Sequence, residues 1–220
     1  MDKIIATSPT DPPYERPSVT RMLDMAETIV VRDGWKALSV RSLGKELGLS
    51  GPALYKHFHN MDELVDRVVQ RIFARFMEYI VQYKIRTREA FTPDSPFSQW
   101  AEVIADGEAY LSFWAENPQW FDAFQSRALE HDLLAFDPTI PADIVETDVH
   151  AALEHSPAQA MPPLCAAQAV AWYLSTTWFA LASSIRAEQH RGAPIAWDRY
   201  HAAIAASCTS WNPRNPHLSP

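Results

Sequence analysis

The stretch Ser39-Val-Arg-Ser-Leu-Gly-Lys-Glu-Leu-Gly-Leu-Ser50, continuing as Gly51-Pro-Ala-Leu-Tyr-Lys-His-Phe58, has the pattern of two short helices joined by a tight turn. Ser39 is placed to cap the free N–H groups of the first, which carries Val40, Leu43 and Leu47 on one face. Gly48-Leu49-Ser50 is the turn, where glycine tolerates a left-handed backbone. The second helix is expected from about Gly51 to Phe58, with Pro52 in its first turn, where the missing N–H costs nothing. Leu43 with Leu47 and Leu54 with Phe58 are i,i+4 pairs, and with Leu49 they predict an internal seam. Two helices locked at a steep angle, with the outer face of the second left free, are what a helix-turn-helix needs to enter a major groove.

Side-chain chemistry assigns roles on that outer face, which carries Ser50, Gly51, Pro52, Ala53, Tyr55, Lys56 and His57. Lys56 is the one formal cation there and the best candidate for a phosphate or for guanine O6 or N7. Tyr55 and His57 can donate to phosphate oxygens, and Pro52 and Ala53 can touch a thymine methyl. Ser39 and Arg41, at the start of the preceding helix, are placed for backbone phosphate. The alternative for each of these polar groups is a solvated helix face.

The run from Ser39 to Ser50 followed by Leu54-Tyr55-Lys56-His57-Phe58, with Gly34-Trp35 before it and Met61-Asp62-Glu63-Leu64 after it, closely resembles the N-terminal domain of TetR-family regulators over about residues 18 to 78. The resemblance implies an all-α chain, with a three-helix DNA-binding domain and a larger helical domain that binds a small-molecule effector and dimerises. It also implies a homodimeric repressor on a palindromic double-stranded DNA operator. One departure stands out: two residues after His59 the family usually places a lysine that grips phosphate, and here that position is Met61. Lys45 and Arg67 are the candidates to compensate.

Outward from this segment the sequence predicts more helix. The first should run from about Val19 to Arg32, with Ser18 as N-cap, Gly34 as stop, and Met22, Met25, Ala26, Ile29 and Val30 as its buried stripe. Another begins near Met61, with Asn60 as cap and Asp62 and Glu63 in the first turn, and continues through Leu64, Val68, Ile72 and Phe76. Beyond about residue 85 prolines mark the joints and aromatic residues are dense. The longest piece, about Leu164 to Gln189, is apolar nearly all round and is expected to be buried both in its own domain and against a partner subunit. The last, about Ile195 to Ser210, carries Ala202, Ala203, Ala205 and Ala206, small enough for close packing. No strand alternation is visible. The expected organisation is a disordered arm over 1–17, a DNA-binding domain over 18–78, an effector-binding and dimerisation domain over 79–212 and a flexible tail over 213–220.

A net charge of −8 argues against a nucleic-acid partner until its distribution is considered. Residues 1–80 hold 11 Lys+Arg against 11 Asp+Glu, so the second half carries the acid. Within residues 34–60, Lys36, Arg41, Lys45 and Lys56 face the single anion Glu46, a local +3. No apolar stretch reaches the roughly 18 to 20 residues of a membrane span, and the N-terminus matches no secretory signal, so a soluble cytoplasmic protein without a membrane partner is expected. Cys165 and Cys208 are expected as buried reduced thiols. No nucleophile elbow, phosphate loop or zinc spacing appears, and His57-x-His59 lacks neighbouring ligands, so neither an enzyme nor a metal or other cofactor is expected. Among the aromatic residues, Tyr110, Trp114, Trp120, Phe124, Trp172 and Trp178 are candidates to line an effector pocket suited to an apolar or aromatic molecule, although such rings are more often plain core. An effector-independent, architectural DNA-binding protein is the alternative.

Overall fold

The computed structural model of the chain describes residues 17–87, 98–130, 140–154 and 163–209. Their regular structure is helical, with no strand among the described residues. The helices are α1 (Pro17–Asp33), α2 (Val40–Leu47), α3 (Gly51–Leu54), α4 (Met61–Thr87), α5 (Ala101–Glu116), α6 (Pro118–Glu130), α7 (Ile140–Glu154), α8 (Pro163–His190) and α9 (Trp197–Thr209). The expected arm, apart from Pro17, and the expected tail lie outside the described residues, as does the side chain of Cys165. No helix among the described residues is long and apolar enough to cross a membrane.

Two compact units form, with the division falling inside α4 after Glu78. The first takes the chain up to Glu78 together with α6 from Gln119 onward, so α6 leaves the 79–212 stretch in which the sequence placed it. Its core is the stripe of α1 (Met22, Leu23, Ala26, Ile29, Val30) against Leu43, Leu54 and Phe58 and the inward face of α4 (Leu64, Val68, Ile72, Phe76). Each such side chain removed from water contributes about 1.5–3 kcal/mol. Met25, expected in the stripe, is half-buried. Ser18 lies within the first turn of α1 rather than at its cap, because the helix already starts at Pro17, a residue whose missing N–H suits that position. Gly34, at φ 83, ends α1 as expected. Asn60 does cap α4: its Oδ1 accepts from the Glu63 N–H at 2.7 Å, and Glu63 in turn accepts from the His59 N–H at 2.7 Å.

Ion pairs tie α1 to α4. Arg71, 4% exposed, donates from Nη2 to Asp24 at 2.8 Å and lies 3.5 Å from Glu27, while Arg75 donates to both Glu27 oxygens at 2.9 and 2.7 Å. Burial raises the Glu27 pKa, against the opposing pull of Arg75 and Arg71. Asp24 is open to solvent and Arg75 partly so, which makes Arg71 with Glu27 the enclosed pair of the set, and removing Glu27 would leave the Arg71 charge buried at a cost of a few kcal/mol. α6 is held to the same unit by Trp35, whose indole N–H donates to the Ala123 carbonyl at 2.9 Å and whose ring meets Phe124 edge-on at 6.1 Å.

The second unit comprises the end of α4 with α5, α7, α8 and α9. Gly107 on α5 lets three helices converge: a Cβ there would stand 2.7 Å from the Trp178 ring and 2.9 Å from the Ile204 side chain. Beside it a polar cluster forms where Lys84 meets Asp148 at 2.5 Å, Asp106 at 3.0 Å and Glu102 at 3.2 Å. Burial works to lower the Lys84 pKa, but Asp106 and Asp148 outweigh it and the net shift is upward. Burial also pushes the Asp106 carboxyl up to about 8, against the pull of Lys84 and with help from the charge on Asp148. Burial thus favours the protonated form of Asp106, the most enclosed carboxyl of the cluster. Cys208 is a buried free thiol, its pKa pushed up to about 12 by burial. Along α9, Tyr200 and Ile204 take the inward face, Ala203 and Ala205 are half-buried, and Ala202 and Ala206 are exposed.

Candidate nucleic-acid interface

The helix-turn-helix is built by backbone caps. Ser39 Oγ accepts from the Ser42 N–H at 3.1 Å and Ser42 Oγ accepts from the Ser39 N–H at 2.9 Å, a reciprocal capping box that fixes the start of α2. At the other end Gly48 turns left-handed (φ 67) and the Leu49 N–H donates to the Gly44 carbonyl at 2.9 Å. That bond folds the turn back onto Gly44, whose missing side chain is required: a Cβ there would lie 2.7 Å from the Leu49 carbonyl oxygen. Sequence reasoning credited Gly48 and missed Gly44. The available signal was a glycine inside an otherwise sound helix, a choice that costs about 1 kcal/mol and marks a close approach.

The next helix is shorter than expected. α3 ends at Leu54, and Tyr55, Lys56 and His57 form a hydrogen-bonded turn, with the His57 and Phe58 N–H groups both donating to the Leu54 carbonyl at 2.9 and 3.3 Å. Two bonds converging on one carbonyl tighten the last turn and roll Phe58 into the core. Leu49, expected in the seam, is 36% exposed, because the left-handed residue before it turns its side chain outward. Leu43, Leu54 and Phe58 carry the seam, with Leu47 half-buried.

The candidate DNA-facing residues fall as follows. Ser50, Pro52, Tyr55 and Lys56 are exposed, Tyr55 at 51%, and Gly51, Ala53 and His57 are half-buried along the same turn. Arg41 is exposed on α2. Ser39 is half-buried and its hydroxyl is engaged with Ser42 in the cap, with the two oxygens 3.0 Å apart.

Ion pairing sorts the cations of this unit into two groups. Arg32 binds Asp33 and Glu46, Arg67 lies 3.3 Å from Glu63 and over the Phe58 ring at 5.5 Å, and Arg71 and Arg75 belong to the α1–α4 set. Arg21, Arg41, Lys45 and Lys56 make no ion pair with another described residue. Glu46, the lone anion of residues 34–60, is drawn to Arg32 at 3.1 Å rather than to Arg41, Lys45 or Lys56. Arg67, a candidate to replace the lysine absent at position 61, is committed to Glu63 and Phe58.

The six aromatic candidates are distributed differently. Tyr110, Trp114 and Trp178 form one buried cluster in the second unit, with Tyr110 6.2 Å from Trp114 and 6.3 Å from Trp178, and burial pushes the Tyr110 phenol upward. Trp120 and Phe124, 6.3 Å apart, belong to the first unit beside Trp35. Trp172 is 55% exposed, next to Tyr173, because α8 is apolar over a wider arc than its own unit covers.

Comparison with known proteins gives the frame for this geometry. The sequence profile of the bacterial regulatory proteins of the tetR family matches residues 22–68, from within α1 through the helix-turn-helix into the first turns of α4. The chain is similar to the HTH-type transcriptional regulator UidR of Escherichia coli (28% identity over 104 residues, 42% of this chain and 53% of UidR). It is also similar to an uncharacterised HTH-type transcriptional regulator of Haemophilus influenzae (30% over 57 residues, 26% of this chain and 30% of the relative). The chain thus spans about half the length of UidR in that match. Two crystal structures from Rhodococcus sp. RHA1 share the fold: a transcriptional regulator (TM-score 0.60, 17% identity, 88% of this chain and 95% of that one) and a TetR-like transcriptional regulator (TM-score 0.57, 15% identity, 88% and 95%). Residues 22–68 of this chain thus match the helix-turn-helix domain of the tetR family of bacterial regulatory proteins.

Proposed function

We propose that the chain is a DNA-binding transcriptional regulator acting as a homodimer in the cytoplasm, a repressor released from a palindromic operator by a small apolar or aromatic effector. The observation that carries the DNA-binding part is the outer face from Ser50 to His57: Tyr55 and Lys56 stand exposed in the turn after α3, while the nearby acid Glu46 is held by Arg32. In a two-fold dimer, two such faces would enter successive major grooves about 34–36 Å apart. The exposed Trp172, Tyr173 and Ala180 of α8 support a second copy as the covering surface, since large apolar side chains left open on one helix mark an interface. The buried rings of Tyr110, Trp114 and Trp178 support an aromatic or apolar effector.

The test is selection of a binding site from random duplexes, followed by titration of the selected palindrome at fixed salt. Tyr55→Ala and Lys56→Ala are expected to weaken binding by about 1–3 kcal/mol each without changing the mass of the protein. Unchanged affinity in both variants removes these residues from the interface. A selected palindrome bound no more tightly than random DNA favours the architectural alternative, because a specific regulator discriminates by about 10³-fold or more.

A further inference from the structure

Arg21 lies on α1, outside the helix-turn-helix proper, yet its surroundings join it to the DNA-facing surface. An open cleft of about 270 Å³ in the first unit has Ser18, Arg21 and Met22 of α1 on one wall and Leu47, Leu49, Ala53, Lys56 and His57 on the other. Its floor is apolar and its rim carries two cations, Arg21 and Lys56, both exposed and neither in an ion pair with another described residue. Other arginines of α1 and α4 are committed: Arg32 to Asp33 and Glu46, Arg67 to Glu63, Arg71 and Arg75 to Asp24 and Glu27. An arginine left without a carboxylate on a helix rich in ion pairs is a fork of donors open to an external oxyanion. Met61, where the family's phosphate-gripping lysine is expected, offers no charge; of the two candidates to compensate, Arg67 is paired with Glu63 and lies over the Phe58 ring, while Lys45 on α2 is exposed.

We infer that Arg21 and Lys56 form a phosphate clamp across this cleft, in which Arg21 binds a DNA backbone phosphate adjacent to the groove entered by α3. The inference rests on the proposed DNA binding and adds to it a backbone contact from α1 that takes over the work of the absent lysine. Charge complementarity and continuity with the exposed face at Tyr55 and Lys56 select DNA backbone as the occupant. A contact to phosphate carries no base information, so its signature is a change in salt dependence shared by all sequences.

The experiment is fluorescence-anisotropy titration of a labelled mixed-sequence duplex of about 30 base pairs across a series of salt concentrations, for the wild type, Arg21→Ala, Arg21→Lys and Arg32→Ala. Each phosphate neutralised contributes about −0.9 to the slope of log K against log salt. Arg21→Ala should flatten the slope by about that amount and Arg21→Lys should retain it, while Arg32→Ala, the same charge change at an arginine already paired, should leave it unaltered. A wild-type slope in Arg21→Ala overturns the clamp, and so does an equal flattening in Arg21→Ala and Arg32→Ala, which would mean diffuse charge rather than a contact. No binding of the duplex by the wild type at low salt would instead remove the proposed DNA binding itself, and the clamp with it.

Discussion

Replacing Gly44 by alanine sets two effects of opposite sign against each other, and their difference is measurable. Gly44 is inside α2, and in an ordinary helix the change would stabilise by about 0.8–1 kcal/mol through backbone entropy. Here the added methyl would sit 2.7 Å from the Leu49 carbonyl oxygen, well inside a contact distance of roughly 3.5 Å. The obstructing atom is backbone, and it cannot swing aside, since the Leu49 N–H is bonded to the Gly44 carbonyl at 2.9 Å and Gly48 fixes the chain in between. Relief requires the turn to open by several tenths of an ångström, and overpacking of this kind costs about 1–3 kcal/mol. The net expectation is a loss of about 1 kcal/mol in stability, read by urea unfolding followed by circular dichroism. Because the turn aims α3, the same opening should weaken DNA binding more than the stability loss alone accounts for. A variant as stable as the wild type or more so, with unaltered affinity, would falsify the close-approach role of Gly44 and leave it as an ordinary helical residue.

Gly107→Ala should be worse, about 2–3 kcal/mol by thermal unfolding, because its methyl meets the fully buried Trp178 ring at 2.7 Å and Ile204 at 2.9 Å with no free space beside them; a loss under 0.5 kcal/mol would contradict it. Ala180→Asp places a charge on the exposed face of α8 and should convert a dimer to monomer in light scattering, and a mass still equal to the dimer would refute that face as the interface. Asp106, pushed up to about 8, binds a proton in the folded chain between about pH 4 and 8 that the unfolded chain releases, so its contribution to stability is present below pH 4 and is lost as pH rises to 8. Urea unfolding should therefore show the wild type losing stability relative to Asp106→Asn between pH 5 and 7 by on the order of 1 kcal/mol per pH unit, and a difference independent of pH refutes the protonated state.

The parts of the fold legible in the sequence were those set by local chemistry. Ser39, Gly48, Asn60 and the i,i+4 pairs Leu43–Leu47 and Leu54–Phe58 act within one or two turns, so their spacing alone located α2, the turn and the start of α4. Leu49 was misplaced because periodicity was carried through a residue that follows a left-handed glycine, where the helical phase no longer holds. Extending the third helix to Phe58 failed for a related reason: the Tyr55 N–H still donates to the Gly51 carbonyl, but the His57 N–H turns back to Leu54 beside that of Phe58 and tightens the chain out of the regular ladder. Ser18 lost its capping role because the helix begins at Pro17, two residues before the expected Val19, which changes the cap without changing the buried stripe.

What the sequence could not supply was commitment. Arg21, Arg32, Arg67, Arg71 and Arg75 are indistinguishable as letters in a helical pattern, and each could be counted toward the local charge that attracts DNA. Their partners lie up to 48 residues away, as Glu27 does from Arg75, or across a turn, as Glu46 does from Arg32. A carboxylate at 2.7–3.1 Å takes most of the attraction an arginine could offer a phosphate, since the phosphate contact must first break that pair. Effective charge at the interface is thus a tertiary property, even where the helix-turn-helix itself is a local one. The same holds for Trp172: its ring type and helical spacing match those of Trp178 on the same helix, yet Trp178 is buried against Tyr110 and Trp172 is 55% exposed. Two tryptophans six residues apart lie about 120° from co-facial on α8, since six steps of 100° pass one full turn by 240°. A helix apolar on both of those faces has to bury them against different partners, one within the chain and one outside it.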